Sequence, residues 1–299
     1  MTQENPSDGV ALDKAYAVCR SIARREAKNF YYAFIALPTQ RRNAICAVYA
    51  FMRRADDLAD DESFSTAVRR VHLDEWLGKW RSVCEGAATD DPVFLAVRDA
   101  TQRFSIPLSL LNELVAGVTM DLDRAETGAP DTYATFNDLY RYCYLVASVV
   151  GLVCIRIFGY KDERAEKFAE ETGIAFQLTN ILRDVKEDAA MSRVYLPEED
   201  MQRFGVSADE LASGVPLEKL RPLLAFEAAR AREFYVSAER LLPLIEEVSQ
   251  PALWAMVEIY RGILDRIELK LYDVYTERVR LSVSDKLKIL VKGFWKRLL

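Results

Sequence analysis

Residues 41–61 read RRNAICAVYAFMRRADDLADD. From Ala44 to Met52 every residue is apolar, with no glycine or proline to interrupt the run, and the segment then ends on Asp56, Asp57, Asp60 and Asp61. A helix apolar on nearly all sides belongs in a core, so its acidic end should face something particular. Asp56 and Asp60 are four apart and share one helix face, with a rise of about 6 Å between them. Like charges at that spacing destabilise a helix by about 0.2–0.5 kcal/mol per pair, and the macrodipole disfavours anions at a C-terminal end. An arrangement made for stability alone would avoid both. Hard cations take carboxylate oxygens, and magnesium in particular takes one or two carboxylates together with phosphate oxygens of a substrate.

Outward from this segment, helical periodicity continues. Residues 11–35 carry apolar positions at three-to-four spacing, and Pro38 marks a break before the next helix. Further helices are expected at 65–84, 93–103, 107–124, 136–158, 161–188, 217–246, 250–276 and 283–298. Gly, Pro, Ser and Asp content suggests loops at 86–92, 127–131, 189–206 and 213–216. Glycine numbers 12 in 299 residues, about 4% against roughly 7% on average, which favours helices over sheets and loops. No alternating strand pattern competes with them and no composition shift marks a boundary. The expectation is one all-α domain of about ten helices, with residues 1–10 disordered and 283–299 a basic amphipathic last helix of the same domain.

A composition 51% hydrophobic and 29% charged excludes a disordered chain, and a net charge of −6 argues against a nucleic-acid partner. The single histidine, His72, lies in a charged helical stretch, so a Ser-His-Asp unit or a two-histidine zinc site has little to be built from. The five cysteines form no CxxC pair and read as free thiols of a reducing compartment. The opening MTQENPSDGV has neither the basic nor the apolar region of a signal peptide, and no run of 18 apolar residues is present. A cytoplasmic location is expected.

A second acidic stripe lies in FQLTNILRDVKEDAAMSRVYLP, residues 176–197. Asn180, Asp184 and Asp188 fall at i, i+4 and i+8 on a helix otherwise flanked by Phe176, Ile181, Leu182 and Val185. Arg183 and Lys186 are neighbouring cations able to meet a diphosphate. Either stripe alone also reads as a solvated acidic face. Two facing each other across a bundle would hold magnesium ions and a diphosphate, the layout for metal-assisted ionisation of an allylic diphosphate.

Three segments in order, NFYYAFIALPTQRRNAICAVYAFMRRADDLADD, YRYCYLVASVVGLV and FQLTNILRDVKEDAAMSRVYLP, resemble the squalene/phytoene synthase family, a likeness covering about residues 15–280. The resemblance implies the class I prenyl synthase bundle around a central cavity. It also implies head-to-head condensation of two prenyl diphosphates with two or three Mg2+ ions. Asp56, Asp60, Asn180, Asp184 and Asp188 then match the metal-binding sets, and Tyr142, with the four aspartates, the catalytic group. Arg53 matches a diphosphate contact, Tyr49 and Tyr142 match cavity tyrosines, Gln177 matches a polar residue beside them, and Arg183 is taken with the substrate contacts. Tyr260 and Arg278 match C-terminal diphosphate contacts. Where the family carries a serine-rich S-x-S-F, this chain has Ala27-Lys28-Asn29-Phe30, leaving Asn29 as the polar contact, and Leu145 stands where many relatives are polar.

Several readings stay open at this stage. Ala147, Ser148 and Gly151 leave room either for a prenyl chain or for close helix packing. Phe34, at a position where C15-using relatives carry a bulky floor residue, favours farnesyl diphosphate. Cys46, where such relatives carry Trp, favours the longer geranylgeranyl chain. The product is then presqualene diphosphate or a C30 derivative of it, with hydride capture from NADPH left undecided, or phytoene. Other prenyl enzymes and a non-catalytic helical scaffold are the competing classes. The chain is expected as a monomer or homodimer. In 283–299, Leu287, Leu290, Val291, Phe294 and Leu298 form one apolar face, and Lys288, Lys292 and Lys296 another, with Lys286 and Arg297 adding charge. Such a helix either packs on the bundle or lies on an anionic membrane.

Overall fold

The computed structural model describes residues 6–27, 30–127, 132–214 and 216–296. The all-α expectation holds: no strand is present among these residues, and Tyr160 and Ile245 form an isolated bridge. The first half comprises α1 (Pro6–Glu26), α2 (Phe30–Ile35), α3 (Thr39–Ala59), α4 (Thr66–Cys84), α5 (Pro92–Arg103) and α6 (Leu108–Thr127). Then come α7 (Phe136–Cys143), a π-helical turn (Tyr144–Ser148), α8 (Val149–Phe158) and α9 (Arg164–Ala190). The remainder comprises α10 (Glu198–Phe204), α11 (Ala208–Ser213), α12 (Leu217–Leu241), α13 (Gln250–Leu269) and α14 (Val283–Lys296).

Local chemistry accounts for several boundaries. Asp91 caps α5, its carboxylate accepting from the backbone N–H groups of Val93 and Phe94, with Pro92 at the first helical position. Thr135 and Asp138 form a reciprocal capping box at α7, and Ser207 and Glu210 form another at α11. The second box makes a short helix just past the loop expected over 189–206, and α10 lies inside that loop. The stretch expected to be disordered, 1–10, is helical from Pro6 onward. The helix expected over 250–276 stops at Leu269, where Leu271 and Tyr272 take positive φ angles of 52° and 63° and turn the chain back.

Helix α9 is the central rod, packed by α8, α12, α13 and the π turn, while α3 packs against α1, α5, α6 and α8. One continuous cluster of buried apolar residues runs from Ala15 to Leu290, and a smaller one (Ala55, Ala59, Leu73, Leu122) lies under the end of α3. Arg41 clamps one end of the bundle: its guanidinium donates to the Phe158 carbonyl at 2.5 Å, to Ser249 Oγ at 2.6 Å and to Glu246. The stretch Phe136–Phe158 is long and apolar enough to cross a membrane by length and composition, yet half of its most apolar window is buried against the other helices.

The π turn interrupts the helix expected over 136–158, within YCYLVASVVG. Here α9 comes in unusually close. A Cβ on Gly173 would lie 2.6 Å from Ser148 Cα and 2.8 Å from the Ala147 carbonyl oxygen, and one on Gly151 would lie 2.9 Å from the Ala169 carbonyl oxygen. Both glycines are therefore required by backbone approach, and Ser148 Oγ ties the same contact by donating to the Glu170 carbonyl at 2.7 Å. Inserted π turns recur at functional sites, and this one forms part of a cavity wall.

Candidate active site

An apolar cavity enclosing about 1020 Å³ of empty space, open mouth included, lies between α3 and α9. Its residues follow helical stripes. On α3 these are Ile45, Val48, Tyr49 and Met52; on α9 they are Ala169, Thr172, Gly173, Phe176, Gln177 and Asn180. The i+3/i+4 rule carries the α3 stripe on to Asp56 and Asp60, and the α9 stripe on to Asp184 and Asp188. Both acidic motifs thus continue cavity-lining faces past the C-terminal ends of their apolar stretches. Phe30 and Phe34 from α2, Tyr260 from α13, and Ala147, Val150 and Gly151 complete the wall. Gly151 accordingly serves both uses left open above: it admits the neighbouring backbone and borders the cavity. Phe176 and Tyr260 stack with centroids 4.4 Å apart, and Phe30 lies 5.3 Å from Tyr260, so an aromatic wall leads up to the rim.

The rim is charged on both sides. On α3, Asp57 pairs with Arg53 at 2.6 Å, and Asp61 turns away to accept from Ser63 Oγ at 2.5 Å. Of the same-face pair, Asp56 is half-buried and Asp60 exposed. On α9, Asp184 sits between two guanidiniums. Arg183 donates to it through Nε at 2.8 Å and again through Nη2, and Arg278 does so twice at 2.8 Å. Burial opposes the charged form of Asp184, but the two arginines outweigh it and hold its pKa below the ordinary carboxylate value. One turn on, burial and the neighbouring Asp184 charge push Asp188 up to about 7. Burial also pushes Tyr49 and Tyr260 up to about 12, so both phenols stay protonated donors at neutral pH.

Oxygen donors for a divalent cation are present on the expected stripe. The Asn180 side-chain carbonyl oxygen is buried without a hydrogen-bond partner, in line with Asp184 and Asp188, and an orphaned acceptor beside a carboxylate pair is the donor set a hard cation takes. The donor chemistry fits. The ready-made cage expected from sequence is not what the structure holds, however. Among the described residues no group of three or more His, Cys, Asp or Glu is arranged to hold an ion, and Asp184 is paired with Arg183 and Arg278.

Other expectations are redistributed. Tyr142 does not border the cavity: it is buried in a cluster with Tyr133 and Tyr195, its hydroxyl donating to that of Tyr195 at 3.3 Å. Cys46 does not border it either, lying fully buried on another side of α3, near Cys19. Phe34 does. Lys186 donates to the Tyr275 carbonyl at 2.7 Å, so with Arg278 it straps the segment after α13 across the end of α9. Asn29 lies outside the described residues. His72 meets only the Phe64 ring edge-on among its aromatic neighbours, at 4.9 Å. Arg193 and Tyr195 lie beside Asp188 in a small side pocket, and their only sequence signal is proximity to the acidic stripe.

The profile for squalene/phytoene synthase matches residues 23–285. The chain belongs to the squalene/phytoene synthase family. Among relatives, the 15-cis-phytoene synthase of a Synechocystis species is 34% identical over 292 residues, covering 94% of this chain and 84% of its own. The phytoene synthase of Mycobacterium tuberculosis is 37% identical over 281 residues, covering 93% and 90%. Of solved structures, a dehydrosqualene synthase in complex with ligand superposes with a TM-score of 0.83 at 32% identity, over 95% of this chain and 97% of the other. The squalene synthase HpnC from Alicyclobacillus acidocaldarius gives 0.79 at 28%, over 88% and 96%. The fold is that of the isoprenoid synthases, and this family is one of prenyltransferase-type enzymes.

Proposed function

We propose that this chain joins two farnesyl diphosphates head to head into presqualene diphosphate, releasing diphosphate and a proton, with a C30 squalene-type product as a further outcome. The observation that carries the reading is the apolar cavity whose two long walls continue into Asp56/Asp60 and Asn180/Asp184/Asp188. Asp56, Asp60, Asn180, Asp184 and Asp188 would hold divalent metal, which when bound supplies Lewis-acid neutralisation of a departing diphosphate. Arg53, Arg183 and Arg278 present guanidiniums at the same rim for phosphate oxygens. Tyr49 and Tyr260 keep their protons and donate from the wall. Below the rim, the faces of Phe30, Phe34, Phe176 and Tyr260 stabilise an allylic cation through their quadrupoles. The apolar lining keeps water from quenching that cation, and confinement holds the second chain's double bond in position to attack.

Chain length divides two readings. The farnesyl reading is supported by Phe34 standing in the cavity wall, whereas Cys46, the cue for a longer chain, faces elsewhere. The geranylgeranyl reading, a phytoene synthase, is supported by the names of relatives at 34–37% identity. Purified protein given magnesium and each diphosphate in turn, with and without NADPH, separates them by mass spectrometry. A C30 product from farnesyl diphosphate supports the first reading, and a C40 product from geranylgeranyl diphosphate alone replaces it with the second. No product from either would leave a non-catalytic scaffold.

A further inference from the structure

The basic segment at 283–299 is not absorbed by the catalytic reading, and the structure changes which of its faces matters. Helix α14 packs on α13 and α2. Its inward side carries Leu290, Gly293 and Lys286, whose ammonium stands 5.6 Å from the centre of the Tyr32 ring. Gly293 is held close: a Cβ there would lie 2.9 Å from the Trp254 ring. Leu290 and Lys286 therefore leave the outer faces drawn from sequence, and the side chains of Phe294 and Lys296, with Arg297 and Leu298, lie outside what the structure describes. What remains outside is ordered. Val283, Leu287 and Val291, at i, i+4 and i+8, are 56%, 49% and 57% exposed. Lys288 and Lys292, one residue further round, form an exposed row beside them. Asp285, the one acid within the helix, is drawn back to Arg266 at 2.5 Å and to Ser282 Oγ at 2.6 Å.

We propose that this face of α14 docks the protein on an anionic lipid surface. The charges argue for that partner over a second copy: a row of apolar side chains bordered by lysines, with its acid turned away, complements negative headgroups. A second copy of a chain with net charge −6 brings excess negative charge but no lipid interior for Val283, Leu287 and Val291 to enter. Position argues the same way. Helix α14 rests on α2, whose Phe30 and Phe34 border the cavity and whose Ile35 is itself exposed. The docked face thus stands one helix away from the cavity. Three half-exposed apolar residues make a shallow anchor, so binding should be reversible and weakened by salt.

The test uses the full chain and vesicle flotation, with phosphatidylcholine vesicles with and without phosphatidylglycerol. Wild type should float with the anionic vesicles only, and less so as salt is raised. The double variant Lys288→Glu/Lys292→Glu should bind them more weakly by more than about 25-fold, about fivefold for each lysine lost and more for each glutamate gained, and Leu287→Ser/Val291→Ser should also lose binding. Turnover of prenyl diphosphate in vesicle-free buffer should be unchanged in both, which separates failure of docking from failure of the catalytic reading. Equal flotation of wild type and both variants, or none with either vesicle, overturns the proposal. So does sedimentation equilibrium showing that Leu287→Ser/Val291→Ser converts a dimer into monomers without any lipid binding.

Discussion

Replacing Gly173 by alanine tests the packing on which the cavity depends. Within a helix the change ordinarily stabilises by about 1 kcal/mol, because alanine loses less backbone freedom on folding. At Gly173 the added Cβ would meet Ser148 Cα at 2.6 Å, Ser148 N at 2.8 Å and the Ala147 carbonyl oxygen at 2.8 Å. All three are backbone atoms of the π turn and cannot rotate away, so α9 or the turn must move by several tenths of an ångström. Overpacking of this kind costs about 1–3 kcal/mol, and a contact made wholly with backbone belongs in the upper part of that range. The net expectation is destabilisation by about 1–2 kcal/mol, a fall in melting temperature of roughly 2–3 °C for a chain of this size. Gly78→Ala is the control, since it is in helix α4 and its Cβ would meet nothing within 4 Å; it should raise the melting temperature slightly. Thermal unfolding followed by far-UV circular dichroism reads both. Because Gly173 and Ala147 both border the cavity, turnover should fall as well. A Gly173→Ala protein melting at or above the wild-type temperature would refute the close-approach argument.

Three further outcomes follow from the same geometry. Asp56→Asn and Asp184→Asn should each lower turnover by at least about 100-fold while the helical dichroism persists, and near-wild-type rates in both would remove the two stripes from the chemistry. Phe34→Leu should raise the ratio of geranylgeranyl to farnesyl use in competition assays read by mass spectrometry, at a stability loss below about 1.5 kcal/mol; an unchanged ratio would show that Phe34 does not gauge chain length. Glu227 is buried beside Arg230 and Asp200, and burial, with the Asp200 charge, raises its pKa from 4.5 to about 8. Between those values the folded chain holds a proton that the unfolded chain has released, so this group's contribution to stability declines as pH rises from about 4.5 to about 8. Glu227→Gln should therefore gain stability relative to wild type across that window, measured by denaturant unfolding at several pH values, and a constant difference would contradict the raised pKa.

Much of the candidate site was legible because its chemistry is local in sequence. Asn180, Asp184 and Asp188 share a face by helical period alone, and the cavity stripe from Ala169 to Asn180 runs straight into them. The surroundings of Tyr142 are not legible in the same way. Its partners Tyr133 and Tyr195 come from separate loops, and nothing in the spacing of YCYLVASVVG says that its ring joins theirs. The π turn was equally invisible, since an extra residue in a helical turn leaves the apolar pattern almost unaltered while re-aiming every side chain after it.

By itself, then, the sequence determined the helical class, the core position of α3 and the two oxygen-rich stripes. Periodicity, capping and carboxylate spacing are properties of a few consecutive turns. Tertiary structure alone decided what those stripes meet. Arg278 reaches Asp184 across 94 residues of chain. Cys46 and Tyr49, three residues apart on one helix, face a buried thiol and an open cavity respectively. Leu290 is buried while Val291 beside it stays exposed. Each of these depends on which neighbouring helix arrives on which side, and that is set by the packing of the whole bundle, where volume and close approach select among faces that hydrophobicity alone leaves equivalent.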